Sequence, residues 1–318
     1  MNPLLICLVP LLHPVIAQGQ AVPPPEKRIV FLGDSITQDG RYIQMIEAAL
    51  VAQFPSDKKT IIPLGLASET VSGLTEPGHA GGAFPRPDLH ERLDRVLDQA
   101  KPELVVACYG MNDGIYYPLG AERKKAFQEG MIKLHDKVVA KGARIIHITP
   151  PVFDPLPIKN HVLPAGLDKY ERPFEGYNAV LDDYAKWLIG MGAEKKWTVI
   201  DLHFPMNEAL AQRRKKNPSF TFSPDGVHPT PEGQAFIARV LAQTWGLKLK
   251  ADGSPDHRQG NVILELIQKK QAALGPAWLS AVGHLRPGIA RGLPVEQAEE
   301  QAAVLDNVAR NLAANKAK

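Results

Sequence analysis

A serine at the end of a buried strand is the first residue of this sequence that could carry out chemistry. The apolar run Ile29–Leu32 predicts a strand covered on both faces, Gly33 ends it, and Ser35 follows in the turn. Open α/β sheets place their sites at the carboxyl ends of parallel strands. Ser35 is therefore either a nucleophile at that edge or, with Asp34 and Thr37, part of a helix N-cap.

A serine nucleophile needs a base within hydrogen-bond reach and donors for the oxyanion. The candidate base is His228, in a turn shaped by proline and glycine, and Asp225 precedes it by three residues. This spacing allows the carboxylate to fold back and hold one imidazole nitrogen. The alternative is an ordinary surface turn. The position of His228 just before the last predicted helix of the sheet domain favours the catalytic interpretation.

Strands and helices alternate five times over residues 28–249, which predicts a parallel sheet with helices on both faces. Right-handed crossovers bring the strand ends to one edge of such a sheet. Ser35, the loops Gly65–Gly73 and Gly110–Gly114, and the loop after Pro151 all follow strand ends. We therefore expect these polar segments to converge.

Residues 250–318 do not follow this alternation and predict a C-terminal helical extension packed on the main domain. The predicted helices are Asp256–Leu274 and Pro294–Ala314, with Trp278–Leu293 as a loop interrupted by proline and glycine. In that loop, His284 and Arg286 could bind a substrate carboxylate or sulfate. The alternative is a connection between two packing helices.

The first residues predict a secretory signal peptide at 1–17 and an extended linker at 18–27. Leu4–Ala17 is mainly apolar, and Val15–Ala17 fits a cleavage site; the run is short and contains prolines, which disfavours a membrane anchor. We therefore expect a secreted or periplasmic bacterial protein. Removal of Cys7 would leave Cys108 as the single cysteine, so no intramolecular disulfide is expected. The net charge of +3 argues against a nucleic-acid partner.

Three blocks of the sequence resemble the SGNH (GDSL-type) hydrolases. They are Gly33–Thr37, Tyr109–Asp113 and Asp225–His228, they occur in this order, and the resemblance covers about residues 28–247. It implies an SGNH hydrolase domain at 28–249 with a flavodoxin-like five-stranded parallel sheet in a three-layer α/β/α sandwich. It also implies hydrolysis of carboxylic esters through an acyl-enzyme, with no metal or cofactor.

The resemblance assigns roles to individual residues. Ser35 is the nucleophile, His228 the general base and Asp225 its orienting carboxylate. The oxyanion donors are the backbone N–H of Ser35 and the side-chain amide of Asn112. Family members usually carry a glycine in the loop after the second strand, where this sequence has Ser68.

A backbone N–H can donate whatever the side chain, so we expect Ser68 to be the remaining oxyanion donor. The departure from glycine leaves the backbone geometry of this loop open, and Gly73 is the alternative donor.

The surroundings of the site favour a polar substrate, because its loops carry charged and polar side chains rather than a long apolar lid. Side chains expected to bind substrate are Asp34, Glu69, His79, Arg86 and Asp113. Holding loops in place is the alternative for Asp34 and Asp113. The similarity to secreted bacterial carbohydrate-esterase-like members leads to a hypothesis of hydrolysis of O-acetyl groups on carbohydrates. The alternatives are a lysophospholipase or arylesterase acting on short-chain acyl esters and a non-catalytic carbohydrate-binding protein.

Overall fold

A computed structural model describes residues 22–315 of the chain. The predicted signal peptide and residues 18–21 of the predicted linker lie outside the described residues, and residues 22–27 form no helix or strand. Five strands form one parallel sheet: β1 (Arg28–Gly33), β2 (Thr60–Pro63), β3 (Leu104–Cys108), β4 (Arg144–Ile148) and β5 (Thr198–Ile200). The helices are α1 (Ser35–Asp39), α2 (Arg41–Gln53), α3 (Leu89–Ala100), α4 (Ala121–Ala140), α5 (Tyr177–Lys195), α6 (His203–Lys216), α7 (Pro231–Thr244), α8 (Gly260–Val282) and α9 (Val295–Ala314).

The sheet has the strand order β2-β1-β3-β4-β5, which is the flavodoxin-like order expected from the sequence. The order of connection reverses between β1 and β3, and such a switch point opens a crevice at the carboxyl ends of the strands. Gly33 of β1 pairs with Cys108 of β3, so the two strands end at the same level. The turns that follow β1 and β3 are therefore neighbours at this crevice.

The strands form because their residues are apolar on both faces, and β3 is buried along its whole length. Glycine at position 33 lets the chain turn at once from β1 into α1. A Cβ added there would lie 2.2 Å from the Thr37 hydroxyl and 2.7 Å from the Cys108 carbonyl oxygen. α1 thus begins at Ser35, only two residues after the end of β1.

The C-terminal extension contains two long helices, and the first is longer than the sequence indicated. α8 continues through Pro276 to Val282, although the proline was expected to lie beyond its end. A proline inside a helix costs about 3 kcal/mol. Burial of large apolar side chains stabilises by about 1.5–3 kcal/mol each. Trp278, Leu279 and Val282 after the proline are all buried in the main core, which offsets the cost.

Buried polar contacts also join the extension to the sheet domain. The Lys270 ammonium lies 2.6 Å from the carboxylate of Glu47 on α2 and 2.7 Å from that of Asp306 on α9. The Gln271 side-chain amide donates to Glu47 and to the Ile61 carbonyl oxygen of β2. Because these groups are buried and paired, α8 is held in one position on α2 and β2. Across residues 22–315 there is no helix with the length and apolar character needed to cross a membrane.

Candidate active site

A continuous hydrogen-bonded chain joins the serine, histidine and aspartate singled out by the sequence. Ser35 Oγ lies 2.7 Å from His228 Nε2, and His228 Nδ1 lies 2.6 Å from Asp225 Oδ2. The fold thus brings together residues separated by 193 positions in the sequence. The arrangement matches the geometry of a nucleophile, a base and the group that orients the base.

The turn that holds His228 is built around the Asp225 carboxylate. Its Oδ1 accepts the backbone N–H groups of Val227 and His228 at 2.9 and 2.7 Å, while Oδ2 faces the imidazole. These hydrogen bonds outweigh burial and hold the pKa of Asp225 well below its usual range. The carboxylate in turn raises the pKa of His228 above its usual value of 6.5. Asp225 therefore stays ionised and favours a proton on His228 Nδ1.

The turn also rests on the loop that follows β4. The Asp154 N–H donates to the Gly226 carbonyl oxygen at 2.9 Å, and the Asp154 carboxylate accepts from Arg214 and Thr221. This contact fixes the height of the turn above the sheet edge. The side chains of Asp225 and His228 remain 56% and 53% exposed, so this side of the candidate site is open to solvent.

Ser35 is the first residue of α1, and Asp34 is the N-cap. The Asp34 carboxylate accepts the Ile36 N–H at 2.9 Å, and burial raises the pKa of Asp34 to about 7. This side chain is 3% exposed. The structure therefore corrects its expected role: Asp34 caps the helix instead of binding substrate. The Ser35 N–H, at the first helical position, has no acceptor within α1.

The loop after β2 packs directly against α1. The Leu66 N–H donates to the Gly33 carbonyl oxygen at 2.8 Å, and the Ala67 N–H donates to Gln38 Oε1 at 2.7 Å. A Cβ added to Gly65 would lie 2.3 Å from the Gln38 nitrogen, so glycine is required for this close approach. The segment that contains the expected oxyanion donor is thereby fixed beside α1, the helix that begins at Ser35.

Ser68 keeps the backbone conformation that a glycine would adopt. Its φ is +68°, in the left-handed region, which costs a residue with a side chain about 1–2 kcal/mol. Serine at this position is therefore strained in a conformation that glycine adopts freely. Gly73, the alternative donor, lies against the Asp88 carboxylate that caps α3. Ser68 lies between Ala67, which donates to α1, and Glu69, which accepts from the Asn112 amide, and this placement favours Ser68 as the donor.

The amide of Asn112 is held by contacts on both of its polar atoms. Nδ2 donates to the Glu69 carbonyl oxygen at 3.2 Å, and Oδ1 accepts the Tyr116 hydroxyl at 3.1 Å. The second hydrogen on Nδ2 remains available for an oxyanion. Tyr116 was not anticipated from the sequence. It has a positive φ of 58°, which places its ring back over Asn112, and a tyrosine four residues after an asparagine is only a weak signal of this contact.

Glu69 is completely buried, so the expectation that it binds substrate is wrong. Its carboxylate accepts two hydrogen bonds from the Arg92 guanidinium at 2.6 and 2.8 Å and one from the Tyr109 hydroxyl at 2.6 Å. Burial raises the pKa of Glu69, and the cation and the hydroxyl oppose this shift. The Glu69–Arg92 pair thus anchors Glu69, the residue after Ser68. The carbonyl oxygen of Glu69 accepts the hydrogen bond from the Asn112 amide.

Asp113 and Arg86 are also buried and fully engaged, which corrects their expected role in substrate binding. The Asp113 carboxylate accepts the N–H groups of Val71, Ser72 and Gly110. It therefore ties the loop after β2 to the loop after β3, and burial raises the pKa of Asp113 to about 6.

The Arg86 guanidinium makes two hydrogen bonds of 2.6 Å to the Glu76 carboxylate and lies over the Tyr116 ring. His79 pairs with the same carboxylate at 3.2 Å, and its binding role stays a prediction. Within residues 22–315, no three His, Cys, Asp or Glu side chains are grouped closely enough to hold a metal ion.

Comparison with known proteins extends these observations. The model of the GDSL-like lipase/acylhydrolase family matches residues 31–236, more than half of the chain. The match ends within α7, so α8, α9 and the loop between them lie outside it. No curated protein sequence matches the chain.

Two solved structures show the same fold. Axe2, an acetylxylan esterase from Geobacillus stearothermophilus, has a TM-score of 0.53 and 20% identity, over 72% of this chain and 97% of that one. A gut microbial diltiazem-metabolizing enzyme has a TM-score of 0.53 and 21% identity over 73% of this chain, and the match spans only half of that enzyme. At such identities the similarity shows a common arrangement of strands and helices.

Proposed function

Because the chain belongs to the GDSL-like lipase/acylhydrolase family and is thus a hydrolase of ester bonds, we propose that it is a serine esterase with Ser35 as nucleophile. The observation that supports this most strongly is the hydrogen-bonded chain from Ser35 Oγ through His228 to Asp225, at 2.7 and 2.6 Å. A histidine that contacts a helix-terminal serine on one side and a carboxylate on the other has the arrangement of a general base.

The proposed reaction follows from these contacts. His228 Nε2 accepts the Ser35 proton as Oγ attacks the ester carbonyl carbon, and Asp225 stabilises the imidazolium that forms. The oxyanion receives hydrogen bonds from the N–H groups of Ser35 and Ser68 and from the Asn112 amide. The alcohol leaves with the proton from His228. Water, activated by the same base, then hydrolyses the acyl-enzyme and releases the acid.

We infer that the substrate is an O-acetylated carbohydrate. The open position of the triad supports access for a large polar molecule, since His228 and Asp225 are each more than half exposed. The nearby loop after β4 exposes His161, Lys169 and Arg172, which suit hydroxyl-rich ligands. Axe2, whose fold this chain shares, is an acetylxylan esterase, and this supports the same class of substrate.

Acetate release is the measurement that tests this substrate. We expect acetylated xylo-oligosaccharides and peracetylated monosaccharides to lose acetate, and p-nitrophenyl acetate to be cleaved much faster than p-nitrophenyl octanoate. The Ser35→Ala variant should release none while keeping the same melting temperature. Preference for octanoate or for a lysophospholipid would indicate a lipid substrate and contradict the proposed carbohydrate substrate. Binding of acetylated sugar without any turnover would indicate a non-catalytic carbohydrate-binding protein.

We further propose that the protein is exported. The apolar residues 4–17 and the small residues at 15–17 support a signal peptide that is cleaved before Gln18. Expression of the full chain in a Gram-negative host, followed by N-terminal sequencing of the periplasmic fraction, should yield a chain that begins at Gln18. Recovery of an uncleaved chain in the cytosol would contradict export.

A further inference from the structure

The loop between α8 and α9 reaches the segment that contains Ser68. Arg286, in this loop, donates from Nε to the Ala67 carbonyl oxygen at 3.1 Å. Its guanidinium lies 5.1 Å from the centre of the Phe84 ring, which supports the side chain from one face. Arg286 lies outside the part of the chain that the family model matches. The C-terminal extension therefore supplies a cation to the loop after β2, next to the expected oxyanion donor Ser68.

The contact has a defined direction with respect to the Ser68 N–H. Ala67 C=O and Ser68 N–H belong to the same peptide unit, which is trans, so the two groups point in opposite directions. Arg286 donates to the Ala67 oxygen on one side of the peptide unit. The Ser68 N–H therefore points to the opposite side, away from Arg286. It also polarises the peptide and makes the N–H a stronger donor.

The strained conformation of Ser68 explains why this peptide needs a restraint. Its φ of +68° lies in the left-handed region. Rotation of the Ala67–Ser68 peptide by about half a turn would bring the φ of Ser68 into the negative range that serine prefers and reverse the N–H. Serine is relieved of strain by that rotation, whereas glycine gains little. Serine at this position thus favours the reversed peptide unless other contacts oppose it.

Arg286 is suited to oppose this rotation because its charge is not used elsewhere. Its other hydrogen bond goes to the Pro287 carbonyl oxygen, and among the described residues no carboxylate forms an ion pair with it. Two other cations near this loop are each held by a carboxylate, Arg92 by Glu69 and Arg86 by Glu76. The contact of Arg86 with the Ser68 carbonyl oxygen is long, at 3.5 Å. A charged donor makes a stronger hydrogen bond to a carbonyl than a neutral one.

We propose that Arg286 is a positioning residue that holds the Ala67–Ser68 peptide with its N–H directed at the oxyanion. A glycine at position 68 would adopt this conformation without such a restraint. The inference rests on the proposed esterase function. It assigns to the C-terminal extension a part in the active site. Loss of Arg286 should lower the rate of the chemical step and leave substrate binding nearly unchanged.

The test compares Arg286→Ala with Arg291→Ala, an exposed arginine of the same loop, in hydrolysis of p-nitrophenyl acetate. Loss of a complete oxyanion donor lowers kcat about 10²–10³-fold, so we expect Arg286→Ala to lower kcat about 10–100-fold with little change in KM. Arg291→Ala should match the wild type. Addition of Ser68→Gly to Arg286→Ala should restore about 5-fold or more of the loss, because glycine removes the strain that favours reversal.

A purely structural role for Arg286 would not give that rescue. The inference is overturned if Arg286→Ala matches Arg291→Ala, or if Ser68→Gly restores none of the lost kcat. A crystal structure of Arg286→Ala provides a readout that needs no turnover. We expect the Ala67–Ser68 peptide to be reversed there, and a peptide in its wild-type orientation would overturn the inference. Wild-type protein without esterase activity would instead refute the proposed function, while the crystal structure would still decide the role of Arg286.

Discussion

Replacement of Asp225 by asparagine separates geometry from charge at the candidate active site. Asp225 Oδ1 accepts the N–H groups of Val227 and His228, and the one oxygen of an asparagine amide can keep both bonds. The amide nitrogen then replaces Oδ2, which lies 2.6 Å from His228 Nδ1. Two donors cannot face each other at this distance, so the imidazole must move its proton to Nε2. Nε2 is the atom 2.7 Å from Ser35 Oγ and could no longer accept the serine proton.

The size of the effect follows from this change of tautomer. In serine-protease triads the same exchange lowers kcat about 10⁴-fold, equivalent to about 5.5 kcal/mol of transition-state stabilisation. We expect a similar loss for Asp225→Asn. The melting temperature should shift by only a few degrees, because the pair is more than half exposed and contributes little to stability.

The pH profile gives an independent readout. The proposed mechanism requires neutral His228, whose pKa Asp225 raises above 6.5, so wild-type kcat/KM should rise with pH through that raised value. In Asp225→Asn the midpoint should move to lower pH. Steady-state hydrolysis of p-nitrophenyl acetate measures both effects, with Asp256→Asn, an exposed aspartate of the extension, as the matched control. A kcat for Asp225→Asn within about tenfold of the control would refute this account of the triad.

Three further predictions concern the groups that support the site and the core. Arg92→Met leaves the fully buried Glu69 carboxylate unpaired and should lower the free energy of unfolding in urea by about 3–5 kcal/mol; a loss below about 1 kcal/mol would contradict the pairing. Burial holds the pKa of His147 at about 3, so between pH 3 and 6.5 only the unfolded chain takes up this proton and stability falls as the pH is lowered. His147→Phe should flatten this pH dependence of the free energy of unfolding, measured by urea titration, by at most about 5 kcal/mol between pH 3 and 6.5. An unchanged slope would contradict the prediction. Tyr116→Phe frees the Asn112 amide to rotate and should lower kcat about tenfold at constant KM, and equal activity would show that the hydroxyl does not orient the amide.

The fold could be predicted from the sequence because its signals are local and periodic. Buried apolar runs such as Val105–Ala107 indicate strands wherever they lie in the chain, and their alternation with helices implies the parallel sheet. The course of α8 through Pro276 could not be predicted in this way. Its helical state depends on burial of Trp278 and Leu279 against a distant part of the core, and this tertiary contact overrides the local preference of proline.

The site was predictable to the extent that its residues lie at strand ends. Ser35 and Asn112 follow β1 and β3, and topology brings such positions together. His228 lies between α6 and α7, and its place in the site was indicated instead by its spacing from Asp225. The environments of Glu69 and Arg286 could not be predicted from the sequence, because a charged residue in a polar loop gives no sign of whether it is exposed or buried. Glu69 is buried because Arg92, on the helix after its loop, reaches back to it. Arg286 meets Ala67 only because α8 packs on α2 and carries the loop across the sheet edge.

Covalent labelling shows whether Ser35 is an activated nucleophile. A fluorophosphonate ester reacts with a serine that is activated by a base, and mass spectrometry of the digested protein identifies the residue that carries the phosphonyl group. We predict a single adduct on the peptide that contains Ser35, formed in parallel with loss of esterase activity and absent from the Ser35→Ala and His228→Ala variants. An adduct on another residue, or ester hydrolysis retained by Ser35→Ala, would contradict the account.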